Sequence, residues 1–372
     1  MSLITNLTRM WLTRSVKPFT FQNEFDSALP FAECPDLGLY VHIPFCKRIC
    51  SFCPYCKEAY SPETCDRYLD ALIREIHLTG GGIPGKKRAT RLYFGGGTPA
   101  LAAERIKEVI DALNEHFVIT QGIGIELHPD NVTAPVLRTL RDAGVTKISI
   151  GVQSFQEKYQ NILGRAAVDR RSLAEALREV PFETVSKDIM FALPGQTFED
   201  LKADVDAVFQ SGGNHVAIYP FINFSSTPGT VPAMGKGEKR SLLDAVTRYC
   251  LGKGYIRNSI WTFSSEKEAS YSSMTRDNFL GFGCSAATLL RDQFKIKTFS
   301  VEEYCRRVDR ETLPTALTVR FTLRQRMVYY LFWTAYSTKV DSGAFQRFFG
   351  VPLKKVYGLE LALAKCLGFV TE

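Results

Sequence analysis

Four cysteines, Cys46, Cys50, Cys53 and Cys56, fall within eleven residues of the segment HIPFCKRICSFCPYC. Thiols this close can lock a disulfide knot, close a tetrahedral zinc site or carry an iron–sulfur cluster. Disulfides fit worst, because gaps of two residues are short and nothing in the chain points to an oxidising compartment. Zinc is a real alternative, yet structural zinc sites pair two CxxC knuckles across a longer loop. Gaps of three, two and two residues in direct succession are closer to the compact runs of iron–sulfur ligation.

A second set of chemistry-bearing residues follows. GGGTP spans Gly95 to Pro99, where missing side chains let backbone approach a ligand. Glu126 stands in ELHP, Gln153 in GVQSF, Arg165 in LGR and Asp188 in SKDIM. Each of these polar residues taken alone is compatible with a cap or an ion pair. Together they recur at one place in the pattern, the ends of successive strand-like runs.

Those runs are LGLYVHIPF from Leu37, RLYFGG from Arg91, IGIELH from Ile123, TKISIGV from Thr146, TVSKDIMFAL from Thr184 and HVAIYPF from His215. Between them lie segments with apolar residues at i, i+3 and i+4, such as PETCDRYLDALIREIHL and TFEDLKADVDAVFQSGG. Strands alternating with helical crossovers predict a parallel sheet. The fold class is therefore α/β, a partial (β/α)6 TIM-type barrel or an open sheet. Its functional groups gather at the carboxyl ends of the strands. After residue 224, NSIWTFS and FLGFGCSAATLL predict strands of a smaller sheet region. From Leu323 the chain reads as three helices. The expected divisions are an amino-terminal extension over 1–36 that wraps the core, a barrel over 37–224, a flanking substrate region over 225–310 and a helical domain over 311–372.

The motifs resemble those of the radical SAM superfamily, in its oxygen-independent coproporphyrinogen III oxidase-like (HemN/HemW-like) branch. YVHIPFCKRICSFC is similar to the opening of that branch, and YFGGGTP, SIGVQSF, LGR and LPGQT follow in its order. The resemblance implies the barrel, a [4Fe–4S] cluster on Cys46, Cys50 and Cys53, and one or two molecules of S-adenosyl-L-methionine. It places Gly96 and Gly97 at the methionine amino group, Tyr40, Glu126 and Arg165 near the methionine end, and Gln153 and Asp188 on the ribose hydroxyls. It also implies an electron donor such as flavodoxin or ferredoxin, anaerobic use, and a 5′-deoxyadenosyl radical that modifies an organic substrate. C-methylation or tetrapyrrole modification are the activities expected. The alternatives are a haem carrier on the same scaffold and coproporphyrinogen III oxidase itself.

The pattern also departs from the branch. The oxidase has a further cysteine two residues past the third ligand; here that place is Tyr55, and the extra thiol is Cys56. Tyr55, Cys56 and Arg276 are the candidates for contacts with substrate or with the ligand shell. His42 and His128 offer haem ligands, although both lie inside family motifs and read as structural. Cys34, Cys65, Cys250, Cys284, Cys305 and Cys366 are scattered and read as ordinary core or surface thiols. The carboxyl-terminal end reads as a truncated, winged-helix-like unit.

The chain has 372 residues and a net charge of +7, and the stretch from Cys305 onward carries eleven Lys/Arg against five Asp/Glu. That surplus suits an anionic small molecule. Without a basic run it makes nucleic acid an unlikely partner. No apolar run reaches the roughly 18 residues of a spanning helix, and the first residues lack the apolar stretch of a secretory signal. A cytoplasmic location is the expectation.

Overall fold

The computed structural model describes residues 3–17, 19–22, 29–34, 37–224, 232–267 and 277–371. Arg276, one of the substrate candidates, lies outside them. The chain divides into two compact units, Thr20–Arg320 and a smaller one made of Met1–Phe19 with Phe321–Glu372.

In the larger unit six strands run parallel and lie side by side in chain order: β1 (Leu37–Ile43), β2 (Leu92–Gly96), β3 (Ile123–Leu127), β4 (Lys147–Gln153), β5 (Thr184–Phe191) and β6 (His215–Pro220). Helices α2 (Pro62–Gly80), α3 (Ala103–His116), α4 (Ala134–Asp142), α5 (Arg170–Glu179) and α6 (Phe198–Gln210) supply the crossovers. Helix α1 is Leu3–Thr13 of the smaller unit. These are the strands and helices that the sequence pattern predicts, arranged as a partial (β/α)6 barrel.

Local chemistry starts and stops the helices. Ser61 caps α2 by accepting from Thr64 N–H, with Pro62 in the first turn. Thr197 and Asp200 form a reciprocal capping box at the start of α6. Along β1 the side chains alternate: Leu39, Val41 and Ile43 are at most 2% exposed, and Tyr40 and His42 occupy the opposite face. That alternation presents polar groups to the barrel interior while the strand keeps apolar packing behind it.

The sheet does not stop at six strands. β7 (Ile256–Arg257) and β8 (Thr262–Ser264) extend it antiparallel beyond β6. On the far side β9 (Asn278–Phe282) pairs in parallel with β1, Leu37 opposite Asn278 and Val41 opposite Phe282. A meander of β10 (Ala287–Leu290), β11 (Gln293–Lys297) and β12 (Thr315–Arg320) completes twelve strands in one sheet. The sequence predicted strands of a smaller sheet region here. The correction is that FLGFGC forms β9 and the turn after it, and this strand pairs with β1.

The smaller unit joins α1 to three helices, Leu323–Ala335, Ser342–Phe349 and Leu353–Cys366. Arg324 Nε donates to Leu12 O at 2.9 Å and Arg14 pairs with Glu360 at 3.0 Å. Tyr330, Phe345, Leu353 and Tyr357 form its apolar centre. The first residues thus include a helix of this unit where the sequence predicted only a wrapping extension.

Candidate active site

The cysteine loop leaves the end of β1 and is held at both ends. Phe45–Cys46 pairs in parallel with Glu58–Ala59, and Tyr60 N–H donates to Cys46 O at 3.0 Å. The glycine turn after β2 closes against its start. Gly97 N–H donates to Ile43 O at 2.9 Å and Thr98 N–H to Phe45 O at 2.8 Å. A Cβ on Gly97 would sit 2.6 Å from the carbonyl oxygens of both Pro44 and Phe45, and Gly96 adopts φ 125°. Only glycine permits this approach.

Cys46, Cys50 and Cys53 are free thiols, each partly accessible. Burial pushes the Cys46 thiol up to about 11, opposed by the Thr98 hydroxyl. Burial also raises Cys50, while the Arg165 guanidinium pulls it back. Among the described residues, the groups of metal-ligating atoms that all lie within 4.8 Å of one another do not include this triple.

Two acidic groups face this loop from the interior. Glu126, on β3, accepts from Tyr93 O–H at 2.7 Å and from Gly96 N–H at 3.2 Å. Burial raises its carboxyl above the usual range. Asp188, on β5, accepts from Ser149 Oγ on β4 at 3.0 Å. Burial, and then the charge of Glu126, push Asp188 up to about 7. Gln153 sits at the end of β4 at φ 70°, beside an irregularity in the β4–β5 register. Tyr40 O–H lies 3.0 Å from His42 Nδ1, and its ring stacks against Tyr93 at 6.3 Å. Arg165 is partly buried near Cys50, Asp130 and Cys46. Its guanidinium makes no hydrogen bond or ion pair with any described residue.

The folded chain therefore offers two buried carboxylates short of a cation and a guanidinium short of an anion. A zwitterionic, cationic ligand such as an amino acid with a sulfonium fits that set. The same arrangement gives a pH dependence. Asp188 binds its proton more tightly in the folded chain than at the ordinary 3.8, so stability falls as pH rises from about 4 to about 7. Three units would be about 4 kcal/mol, reduced to roughly 2 because the side chain keeps accessible surface. Unfolding midpoints of ligand-free protein should fall more steeply between pH 5 and 7 for the native chain than for Asp188→Asn.

The structure also redistributes the other candidates. Tyr55 is 69% exposed, yet its phenol lies near the interior groups: burial, and then the charges of Glu126, Cys53 and Asp188, raise it above the usual range. Cys56 turns back beneath β1 and joins His42 and Cys284. His128 Nδ1 accepts from Asp130 N–H at 3.2 Å, so neither histidine is an idle ligand. Sequence reasoning missed Tyr93 and Ser149, which support the two carboxylates, and Cys284, which it grouped with the scattered thiols.

A family model described as the radical SAM superfamily matches residues 40–208. The chain carries a radical SAM domain. Proteins of this superfamily use a [4Fe–4S] cluster and S-adenosylmethionine. The chain is 33% identical over 189 residues to the heme chaperone HemW of Bacillus subtilis, covering 49% of this chain and 50% of that protein. It is 27% identical over 315 residues to the oxygen-independent coproporphyrinogen III oxidase of Cereibacter sphaeroides, covering 75% and 68%. It is 29% identical over 265 residues to the anaerobilin synthase of Escherichia coli O157:H7, covering 67% and 60%. The chain spans about half the length of the heme chaperones it matches. The solved structure of coproporphyrinogen III oxidase (HemN) from Escherichia coli shares its fold, with a TM-score of 0.75 at 22% identity, covering 91% of this chain and 84% of that one. The radical SAM domain therefore holds the cysteine loop, the glycine turn, Glu126, Gln153, Arg165 and Asp188. Strand β9 and the turn that carries Cys284 lie beyond it.

Proposed function

We propose that the chain is a radical S-adenosylmethionine enzyme of the HemN-like branch, modifying an organic substrate. The observation that carries this reading is the meeting of a three-thiol loop with unpaired buried charges at the ends of consecutive parallel strands. Cys46, Cys50 and Cys53 would hold the [4Fe–4S] cluster. When bound, the cluster and S-adenosylmethionine supply a reducing electron and a carbon radical able to take hydrogen from an unactivated position.

The chain's own residues bind and orient. The N–H groups of Gly96 and Gly97 are already committed to Glu126 and Ile43, so their backbone would meet the methionine amino group through carbonyl oxygens. Arg165 would take the methionine carboxylate, where a planar guanidinium matches two oxygens. Tyr40 and Glu126 would line that end. Gln153 and Asp188 would hold the ribose hydroxyls, and an ionised Asp188 accepts from vicinal hydroxyls. The substrate is an anionic or tetrapyrrole-like small molecule, in keeping with the surplus of Lys/Arg after Cys305. A reduced flavodoxin or ferredoxin would supply the electron. Among the described residues no helix is long and apolar enough to cross a membrane.

A haem carrier is the second reading, favoured by the identity to the heme chaperones. The deciding experiment is anaerobic reconstitution with iron and sulfide, then dithionite and S-adenosylmethionine. 5′-Deoxyadenosine as a product supports the enzyme, and S-adenosylhomocysteine beside it assigns methyl transfer. A fully loaded cluster that yields no deoxyadenosine while the protein binds haem one to one overturns the enzyme reading in favour of the carrier.

A further inference from the structure

We infer that His42, Cys56 and Cys284 form a second metal site, distinct from the three-cysteine loop, that takes one thiophilic divalent ion such as zinc. Their ligating atoms all lie within 4.8 Å of one another. They come from three separate segments: β1, the loop beyond Cys53, and the turn that follows β9. A tetrahedral zinc with bonds of about 2.0–2.3 Å to nitrogen and sulfur sets its ligands roughly 3.5–3.8 Å apart. The group needs to close by no more than about 1.3 Å, within reach of the partly exposed Cys56 loop.

Each ligand is aimed by a partner of its own. His42 places Nδ1 3.0 Å from Tyr40 O–H, which leaves Nε2 for the side where the sulfurs lie. A ring nitrogen fixed in this manner is what orients a metal-binding imidazole. Ser285 Oγ, at 3.2 Å, and Cys56 O, at 3.3 Å, are the groups now nearest Nε2. Cys284 is fully buried, and its N–H donates to Tyr68 O–H at 2.9 Å. Tyr68 in turn donates to His42 O at 2.7 Å, so one tyrosine ties the Cys284 turn to the histidine strand. The residue before it, Gly283, has φ 95°, and a Cβ there would lie 2.5 Å from His42 O. Its N–H donates to Glu75 Oε2 at 2.8 Å. The turn is thus pressed against β1 by contacts that place the Cys284 sulfur beside the imidazole.

Donor chemistry agrees with the geometry. Two thiols and one imidazole form a borderline-soft set suited to zinc. The hydrogen bond from Cys284, with His42 beside it, holds the Cys56 thiol below the usual thiol range; the same bond and burial push Cys284 up, so Cys284 keeps the proton that a metal would displace. In the metal-free chain Cys56 Sγ lies 3.2 Å from Phe299 O. On binding, any remaining thiol proton leaves to solvent and the metal takes its place. Three protein ligands leave a fourth tetrahedral position for water or a substrate group.

The test does not depend on the radical chemistry. Protein loaded anaerobically with its cluster is given zinc chloride, desalted and analysed for both metals. One zinc per chain is expected in addition to the cluster iron. Cys56→Ser and Cys284→Ser should each lose that zinc and keep the iron. A chain with Cys46, Cys50 and Cys53 all changed to alanine should lose the iron and keep the zinc. Cobalt(II) in this last variant should give thiolate-to-metal charge-transfer absorption, abolished by adding Cys56→Ser. Zinc that disappears with the three-cysteine variant, or persists in both serine variants, overturns the proposal. So does a Cys56–Cys284 disulfide found by peptide mapping of anaerobically purified protein. If Cys284→Ser does not fold, Cys56→Ser on the accessible loop carries the test. A native chain that takes no iron would refute the radical SAM reading, and this site would still stand if its zinc survives the three-cysteine change and is lost in Cys284→Ser.

Discussion

Changing Cys50 to alanine is expected to abolish deoxyadenosine formation, by on the order of a thousandfold or more, as when one member of a catalytic unit is removed. Cys50 lies mid-loop, between segments anchored at Cys46 and at Glu58–Ala59, so its loss leaves the backbone clamps intact. Circular dichroism and the unfolding midpoint should stay near native values while iron and sulfide content fall. Cys366→Ala is the matched control, since that thiol is exposed. Its iron content and its turnover should be unchanged. Full turnover in the Cys50 variant would remove the thiol loop from the chemistry.

The second large effect concerns stability. Glu75 is 0% exposed and pairs with Lys297, itself 3% exposed. Its other oxygen accepts from Tyr304 O–H at 2.6 Å and from Gly283 N–H at 2.8 Å. Lys297 also donates to Gly281 O. Glu75→Ala strands a buried ammonium and should cost about 3–5 kcal/mol, lowering the midpoint by about 5–8 °C for a unit of this size. Pairing that change with Lys297→Met should restore most of the loss, because apolar replacement of both partners removes the uncompensated charge. Arg105→Ala breaks contacts to Asp66, Asp70 and Glu108 at the surface, and should cost under about 1 kcal/mol. Equal costs for the buried and the surface changes would refute this ranking.

Glu75 also shows what sequence pattern can convey. Strands such as LGLYVHI were legible because apolar and β-branched residues recur over a short span, and the carboxyl-end residues Glu126, Gln153 and Asp188 were legible from their place after such runs. Glu75 sits within a helical pattern in which an acid reads as solvent-facing. Only its partner Lys297, brought in by β11, makes it a core residue. Cys284 was missed for the same reason. Its neighbour Cys56 is far away in sequence, and the parallel pairing of β1 with β9 brings them together. The amino-terminal helix escaped although Leu3, Leu7, Met10 and Trp11 recur at helical spacing, because the helices of its unit come only after Phe321, far along the chain.

That pairing has a consequence for how the protein is made. β1 emerges early, but its partner on one side is β9, residues 278–282. Until then the nascent sheet ends in an open, largely apolar edge, the template on which other chains add strands. At about 5–20 residues per second the wait is roughly 10–50 s. A ribosome that stalls before β9 leaves a chain holding every cysteine of the loop on an unprotected sheet. Such chains are substrates for chaperones or for aggregation, and a cluster inserted before β9 arrives would rest on an unfinished wall.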